Sequence, residues 1–332
     1  MKKVIRCMCM IALVALVFTS CKKEEEKTTI HVISQDFVEA DEVDRAYIDM
    51  NDANRHIIFE EGDMCMIYNI SVENPGPDYS HSATYEAVTT GNNVQFVNCG
   101  WGSVGKRMDD AFYAYYPAGP SYIRDRLDEG NNVNEFYVAP VQNYRTIDGV
   151  PAIPDKAMYM AARVDNVDKV ADADFYFRNI CGVFAFKLWD ANGVANVTQV
   201  QVYDLNMDLS GWVELIIPEV DPDEMISLFN NYSEDPAYLM QLNEYRNRLG
   251  WHVTEKSNHI TLNMPDGGVQ IGNTKATASQ FYMVLRPLAM SQGAHVIVTY
   301  ATGEVKDVYI PAGALTMAPN TIRRATINLA NY

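Results

Sequence analysis

Cysteine is scarce in this 332-residue sequence, so disulfide bonds cannot be its main support. Three of the six cysteines fall within the first 21 residues, which leaves Cys65, Cys99 and Cys181 for the rest of the chain. An odd number cannot form a fully paired disulfide framework. Cys65 and Cys181 lie in apolar stretches, where cysteine commonly acts as a small buried hydrophobe. We therefore expect hydrophobic cores to stabilise the chain, with its 20 tyrosines helping to fill them.

Positive charge is also in short supply. The sequence has 26 Lys and Arg residues against 43 Asp and Glu residues, which gives a formal net charge of −17. The first 20 residues contain only positive charges, those of Lys2, Lys3 and Arg6, so the residues after them carry −20. A nucleic-acid-binding surface requires a basic patch, and this composition argues against such a partner. The acidic excess favours solubility outside the cell.

The motifs of the common enzyme classes are missing. The sequence has no G-x-S-x-G motif, P-loop or dinucleotide fingerprint, and its six histidines are not spaced as metal ligands. Asp204, Asn206 and Asp208 begin like a calcium loop, but Leu209 occupies the position that requires glycine. A strand followed by a turn explains this stretch better. We predict that the protein is not an enzyme and has no catalytic residues, no metal site and no cofactor.

The apolar run near the N-terminus is too short to cross a membrane. It covers residues 7–18, whereas a spanning helix needs about 20 apolar residues. Its proportions are those of a secretory signal peptide, which we place at residues 1–20. Thr19 and Ser20 before Cys21 resemble the lipobox of bacterial lipoproteins, in which the cysteine sulfur receives a diacylglyceryl group. We therefore predict that lipid, palmitate included, is attached to Cys21; the alternative is an ordinary secretory signal with a chance cysteine.

A short charged segment follows this cysteine. In residues 21–28, Lys22 and Lys23 precede three consecutive glutamates, and so charged a segment cannot fold by itself and fits a solvated tether. Lysine followed by acidic residues also resembles the signal that sends Bacteroidetes lipoproteins to the outer face of the outer membrane. We predict a surface-exposed protein of the cell outer membrane.

Strand patterns dominate the remaining chain. Residues 183–189 alternate between large apolar and smaller or polar side chains, and residues 199–203 and 295–300 also alternate. Gly, Pro, Asn and Asp punctuate the strands. Many short strands with such turns indicate an all-β sandwich or barrel.

A polar stretch at residues 163–174 divides the chain into two halves. The apolar residues 175–189 follow it and are expected to begin a second core. We predict an N-terminal β domain at residues 29–168 and a C-terminal β domain at residues 169–332. A helical period before a capping glycine predicts a helical insertion at about 219–250 in the second domain.

Several short motifs follow one another along the chain after the signal peptide. They are at residues 59–68, 110–117, 174–188, 198–211, 281–287, 297–303 and 322–329. The first combines an aromatic residue, Gly-Asp and a strand, and the second reads Phe-Tyr-Ala-Tyr-Tyr-Pro. In this order they resemble the fimbrillin-like (Mfa-like) surface lipoproteins of Bacteroidetes. The resemblance implies two tandem transthyretin-like β-sandwich domains.

The resemblance also implies a mode of assembly. In the family, an arginine-specific protease cuts the lipidated precursor after its first strand, and a strand of a neighbouring subunit fills the open groove. Here the removable strand would lie around residues 29–38, with Ile30, Val32, Phe37 and Val38 as its apolar members.

The cleavage candidate is Arg45, which precedes Ala46 in the polar stretch EADEVDRAY. The alternative is that Arg45 is an ordinary solvated loop arginine. Arg55 is the second choice for cleavage.

Two functions fit these features. The first is a fimbrial (pilus) subunit precursor with a structural or adhesive role, whose partners are other fimbrial subunits and a host or bacterial surface receptor. The second is a surface glycan-binding lipoprotein of a polysaccharide-uptake system, in which Trp101, Trp212 and Trp251 could line a sugar platform or could be core residues. A withdrawable first strand over an apolar groove would favour the first function. Exposed coplanar aromatic rings on the second domain would favour the second.

Overall fold

β-Strands make up nearly all of the regular structure in the computed structural model of the protein. The residues that it describes are 29–34, 38–39, 59–69, 82–91, 93–99, 110–118, 123–128, 131–147, 149–154, 157, 159–167, 173–204, 207–216, 253–290, 292–312, 314–317 and 321–332. The predicted signal peptide, the whole predicted tether and the predicted helical insertion at about 219–250 therefore lie outside the described residues. The prediction of an all-β fold is confirmed.

The described strands number 25 in chain order. They are β1 (Thr29–Ser34), β2 (Val38–Glu39), β3 (Met64–Asn69), β4 (Ser82–Ala87), β5 (Asn93–Asn98), β6 (Asp110–Tyr116), β7 (Ile123–Asp128), β8 (Asn131–Val138), β9 (Val141–Asn143), β10 (Arg145–Ile147), β11 (Val150–Ala152), β12 (Met160–Val167), β13 (Asp174–Asn179), β14 (Gly182–Trp189), β15 (Ala195–Tyr203), β16 (Ser210–Ile216), β17 (Val253–Ser257), β18 (His259–Asn263), β19 (Val269–Ile271), β20 (Ser279–Leu285), β21 (Leu288–Ala289), β22 (Ala294–Tyr300), β23 (Val305–Ile310), β24 (Thr316–Met317) and β25 (Thr321–Asn328). Two 3₁₀ helices occupy Lys275–Thr277 and Leu329–Asn331. Within the described part of the chain, no helix has the length and apolar character needed to cross a membrane.

Seven strands close into a barrel around a first core. Their pairing order is β1-β13-β12-β6-β3-β4-β5, and β5 pairs back to β1. The pair β1–β13 is parallel, and the other six pairs are antiparallel. Inward side chains alternate with outward ones, as in β4, where Ala83, Tyr85 and Ala87 are buried. Phe59 packs edge-on against Phe96 in this core, with ring centroids 5.4 Å apart.

Two further sheets enclose a second core. One sheet has the order β2-β25-β14-β20, and the other has the order β23-β22-β15-β18-β9 with β19 paired to β15. Phe186 of β14 stacks on Phe184 at 4.9 Å and on Phe281 of β20 at 5.5 Å. Val200 and Val298 of the other sheet belong to the same buried cluster. The two sheets therefore pack face to face as a sandwich.

Strands from the first half of the sequence also pair with strands from the second half. β8 pairs with β16, β9 pairs with β18, and β2 pairs with β25, so strands from the first half extend sheets of the second. The remaining pairings are the hairpins β7–β8 and β10–β11 and the antiparallel pairs β16–β17 and β21–β24. The β7–β8 pair, β16 and β17 together form a four-stranded sheet. Connections of this kind are set by long-range pairing that alternation along one strand does not reveal.

The strand that follows the polar divider belongs to the first core. Phe175 and Phe177 of β13 are fully buried in the barrel, whereas the sequence interpretation placed them at the start of the second core. That assignment was wrong, because an alternating strand can pair with either sheet and β13 pairs with β12 and β1. After β13, the next buried residues, Ile180 and Cys181, belong to the second core. The boundary between residues 168 and 169 stays a prediction.

The three cysteines of the described chain form no disulfide. Cys65 is buried in the first core and Cys181 in the second, as the sequence predicted, while Cys99 is exposed. Burial raises the pKa of both core thiols above that of a free cysteine. Each core thus contains one protected thiol.

The second core predicts a large effect of one aromatic truncation. Phe186→Ala removes a fully buried ring that stacks on two others, and we expect it to lower the free energy of unfolding by about 3–5 kcal/mol. Val305→Ala, at a position that is 54% exposed on β23, should change it by less than about 0.5 kcal/mol. Thermal and urea unfolding followed by circular dichroism measure both. Equal losses from the two variants would contradict the described core.

Candidate functional site: the first strand and its groove

β1 closes the barrel by lying between β5 and β13. It runs antiparallel to β5, with residues 29–33 opposite residues 97–93, and parallel to β13, with residues 31–34 opposite residues 174–177. The backbone groups of β1 therefore pair on both sides. If β1 left, β5 and β13 would become sheet edges with unpaired N–H and C=O groups.

The inward face of β1 is apolar and completely covered. Ile30 is 1% exposed and Val32 is 0% exposed. Ile30 lies opposite Phe96 on β5, and Val32 lies opposite Val94 on β5 and Phe175 on β13. Full burial of one such side chain stabilises the fold by about 1.5–3 kcal/mol. The strand is therefore held by packing as well as by its backbone pairing.

The outward face of β1 makes a polar contact with β13. Nδ1 of His31 lies 3.1 Å from Oδ1 of Asp174, which occupies the paired position on β13. The two side chains are 41% and 55% exposed, so the contact lies at the rim of the groove. Ile33, the next outward residue, lies opposite Tyr176.

The next described strand after β1 belongs to the sandwich around the second core. Val38 and Glu39 form β2, which pairs in parallel with Thr321 and Ile322 of β25. The sequence interpretation counted Val38 as part of a single removable strand; the structure places it in a second strand on another sheet, and Phe37 lies outside the described residues. Segment 29–39 thus contacts sheets that belong to both cores.

The motif that begins at residue 59 fixes the point where the chain returns to the barrel. Phe59 forms two backbone hydrogen bonds with Gly91, of 2.8 and 2.9 Å. A carboxylate oxygen of Asp63 accepts a hydrogen bond from the Glu60 N–H at 2.8 Å, and Gly62 between them adopts a φ of 92°. A side chain at that φ would be strained, which explains glycine at this turn. The Phe-Glu-Glu-Gly-Asp sequence therefore anchors the end of segment 40–58.

The predicted modification sites lie elsewhere. Cys21, Arg45, Ala46 and Arg55 are outside the described residues, so lipid attachment and cleavage stay predictions. Both arginines belong to segment 40–58, which connects β2 to the Phe59 anchor.

The weaker site signals of the sequence are explained by packing. In the part of the chain that the structure describes, no three His, Cys, Asp or Glu side chains are grouped as metal ligands. Oδ1 of the buried Asp204 accepts a hydrogen bond from the N–H of Met207 at 3.0 Å, which is a turn contact. Trp212 is 4% exposed and packs against Tyr137, with ring centroids 5.0 Å apart. Trp101 and Trp251 lie outside the described residues.

An aromatic row crosses the outer face of the second sandwich. Tyr203, His295 and Tyr309 occupy paired positions on β15, β22 and β23. Their rings are tilted by 51° and 57° from one neighbour to the next, and His295 contacts Asp307 at 2.8 Å. These tilted rings do not form the coplanar platform that would favour glycan binding.

Comparisons with known proteins return solved structures only. No family model matches the chain, and no curated protein does. The chain is similar to a proposed cell adhesion protein from Bacteroides ovatus, with 15% identity, a TM-score of 0.49, and coverage of 92% of this chain and 94% of the other. A proposed cell adhesion protein from Bacteroides uniformis matches at 14% identity and a TM-score of 0.49, with coverage of 93% and 95%. A fimbrial protein from Bacteroides ovatus matches at 12% identity and a TM-score of 0.36, over 91% of this chain and 49% of the other.

Replacing isoleucine by alanine should have different effects on the two faces of β1. Ile30→Ala empties a fully buried position, and we expect it to lower the free energy of opening the barrel by about 2–4 kcal/mol. Ile33→Ala removes the same atoms from the outward face and should cost less than about 1 kcal/mol. Native-state hydrogen exchange of the barrel amides measures both losses. Similar losses would mean that β1 does not bury its Ile30 side.

Proposed function

We propose that this protein is a fimbrial subunit precursor that reaches the outer-membrane surface as a lipoprotein and assembles by donor-strand exchange after cleavage at an arginine. The observation that carries the proposal is the place of β1, which closes the barrel between β5 and β13 and buries Ile30 and Val32. A strand held in this way leaves behind an apolar groove with two backbone edges. A strand from a second subunit satisfies such a groove by β-augmentation.

The chain order makes β1 separable by a single cut. Of the seven barrel strands, β1 alone precedes segment 40–58, and the other six lie between residues 64 and 179. Cleavage within this segment therefore separates β1 and β2 from the remaining strands and leaves every other connection of the barrel intact. The two backbone hydrogen bonds between Phe59 and Gly91 do not involve β1, so the cut leaves them intact.

Segment 40–58 contains only two Lys or Arg residues, which are Arg45 and Arg55. The adjoining residues EADEVD are strongly acidic, which is typical of a solvated and accessible stretch. We assign the processing site to the bond between Arg45 and Ala46, with Arg55 as the second choice.

Cleavage also decides whether the subunit stays on its lipid anchor. Cys21 precedes β1, so the fragment before the cut would contain the lipid, the tether, β1 and β2. The rest of the subunit would then be held at the membrane only by the pairing and burial of these two strands. Replacement of β1 by a donor strand would join the subunit to its neighbour and leave only the two-residue pairing of β2 with β25 to hold it at the membrane.

Limited trypsin digestion of the purified protein tests the processing step. We expect mass spectrometry to find a cut after Arg45, and we expect oligomers in size analysis once the cut is made. Arg45→Gln should prevent both changes, while Arg55→Gln serves as the matched control. The Cys65 thiol should become reactive when β1 is displaced, and the Cys181 thiol should stay protected because it lies in the second core. A cut protein that remains monomeric with Cys65 protected would refute strand exchange.

Lipid attachment is tested separately. Cys21→Ser should abolish incorporation of radiolabelled palmitate and shift the protein from the membrane fraction to the medium, because a doubly acylated anchor holds a protein stably and a bare chain does not. Cys99→Ser is the control and should change neither result. Palmitate labelling that survives Cys21→Ser would place the anchor elsewhere.

A further inference from the structure

The groove that β1 occupies must select a register as well as a strand. A donor that slips by one residue turns its apolar side chains outward, and burial alone rejects it. A slip by two residues keeps the same side chains inward, so burial of Ile30 and Val32 does not strongly discriminate against it. Cross-strand contacts on the outward face are the remaining source of discrimination.

Of the two strands that flank the groove, only β13 has charged residues. β5 has the sequence NVQFVN and contributes no charge, whereas β13 has the sequence DFYFRN and contributes Asp174 and Arg178. Asp174 lies opposite His31, and Tyr176 lies opposite Ile33. Across the other side, Gln95 lies opposite His31. Asp174 is thus the one carboxylate on the two strands that flank the groove.

We propose that Asp174 selects the donor strand and fixes its register. This inference rests on the proposed strand exchange. The strand that fills the groove runs parallel to β13, as β1 does, and places β-branched aliphatic side chains at the two inward positions of Ile30 and Val32. Between them it presents a lysine, arginine or histidine outward to Asp174.

Charge complementarity with Asp174 favours a donor strand that has a cation at the position of His31. A cation in the register of His31 lies about 3 Å from the Asp174 carboxylate, as the imidazole does at 3.1 Å. A slip by two residues toward the end of β13 places the cation opposite Tyr176, and a slip by four places it opposite Arg178, where it is repelled. A strand with an acidic residue at this position meets a like charge in the correct register.

Peptide competition with the full chain tests the inference. The protein is cut with trypsin in segment 40–58, the nick is verified by mass, and fluorescein-labelled peptides of residues 28–39 are supplied in excess. The peptides are the natural sequence, His31→Lys, His31→Glu and one in which His31 and Ile33 exchange places. The last peptide keeps composition and inward residues unchanged and moves the imidazole opposite Tyr176.

We expect the His31→Lys peptide to bind about five-fold more tightly than the His31→Glu peptide. The exchanged peptide should bind about three-fold more weakly than the natural one. The protein variant Asp174→Lys should reverse the order of the Lys and Glu peptides, and Asp174→Asn should remove it. The asparagine variant keeps the shape of the side chain, so it serves even if the lysine variant does not fold.

The outcomes separate this inference from the proposed function. Binding of all peptides with equal affinity would overturn the role of Asp174 and leave strand exchange intact. Binding of none of them to a nicked chain would refute strand exchange, and the inference with it. An order of affinities that Asp174→Asn leaves unchanged would assign selection to another residue of the groove.

Discussion

The pairing of β1 on both of its sides is the constraint on which the first barrel depends. Six residues close a ring whose other strands come from a continuous part of the chain. Backbone pairing and burial act together here, because Ile30 and Val32 fill the core at the same positions where the backbone joins β5 to β13. Because β1 is essential to closure and precedes the other six barrel strands, it is the strand whose exchange we propose.

The sandwich around the second core packs against the barrel. It has its own core of stacked aromatic rings and valines, and its two sheets include β2 and β9 from the first half of the sequence. Tyr113 and Tyr115 of β6 point away from the barrel core and belong to the second buried cluster. The two cores therefore share a packed boundary at β6, whose alternate side chains belong to one core or the other.

Burial and charge have different effects on which strand binds in the groove. Burial of aliphatic side chains supplies most of the free energy, and it distinguishes inward from outward positions. Charge at the rim supplies little free energy but distinguishes registers and partners that burial treats alike. A partner strand would have to place its own side chain against Asp174 at the position that His31 occupies here.

The sequence by itself determined the all-β class, the buried cysteines and the apolar members Ile30 and Val32, because side-chain alternation and local composition encode which residues are buried. Which sheet each strand joins was decided only by the tertiary structure. The assignment of Phe175 and Phe177 to the first core, the transfer of β2 and the contact between His31 and Asp174 all depend on pairing between distant residues, and a period of two along one strand carries no information about its partner.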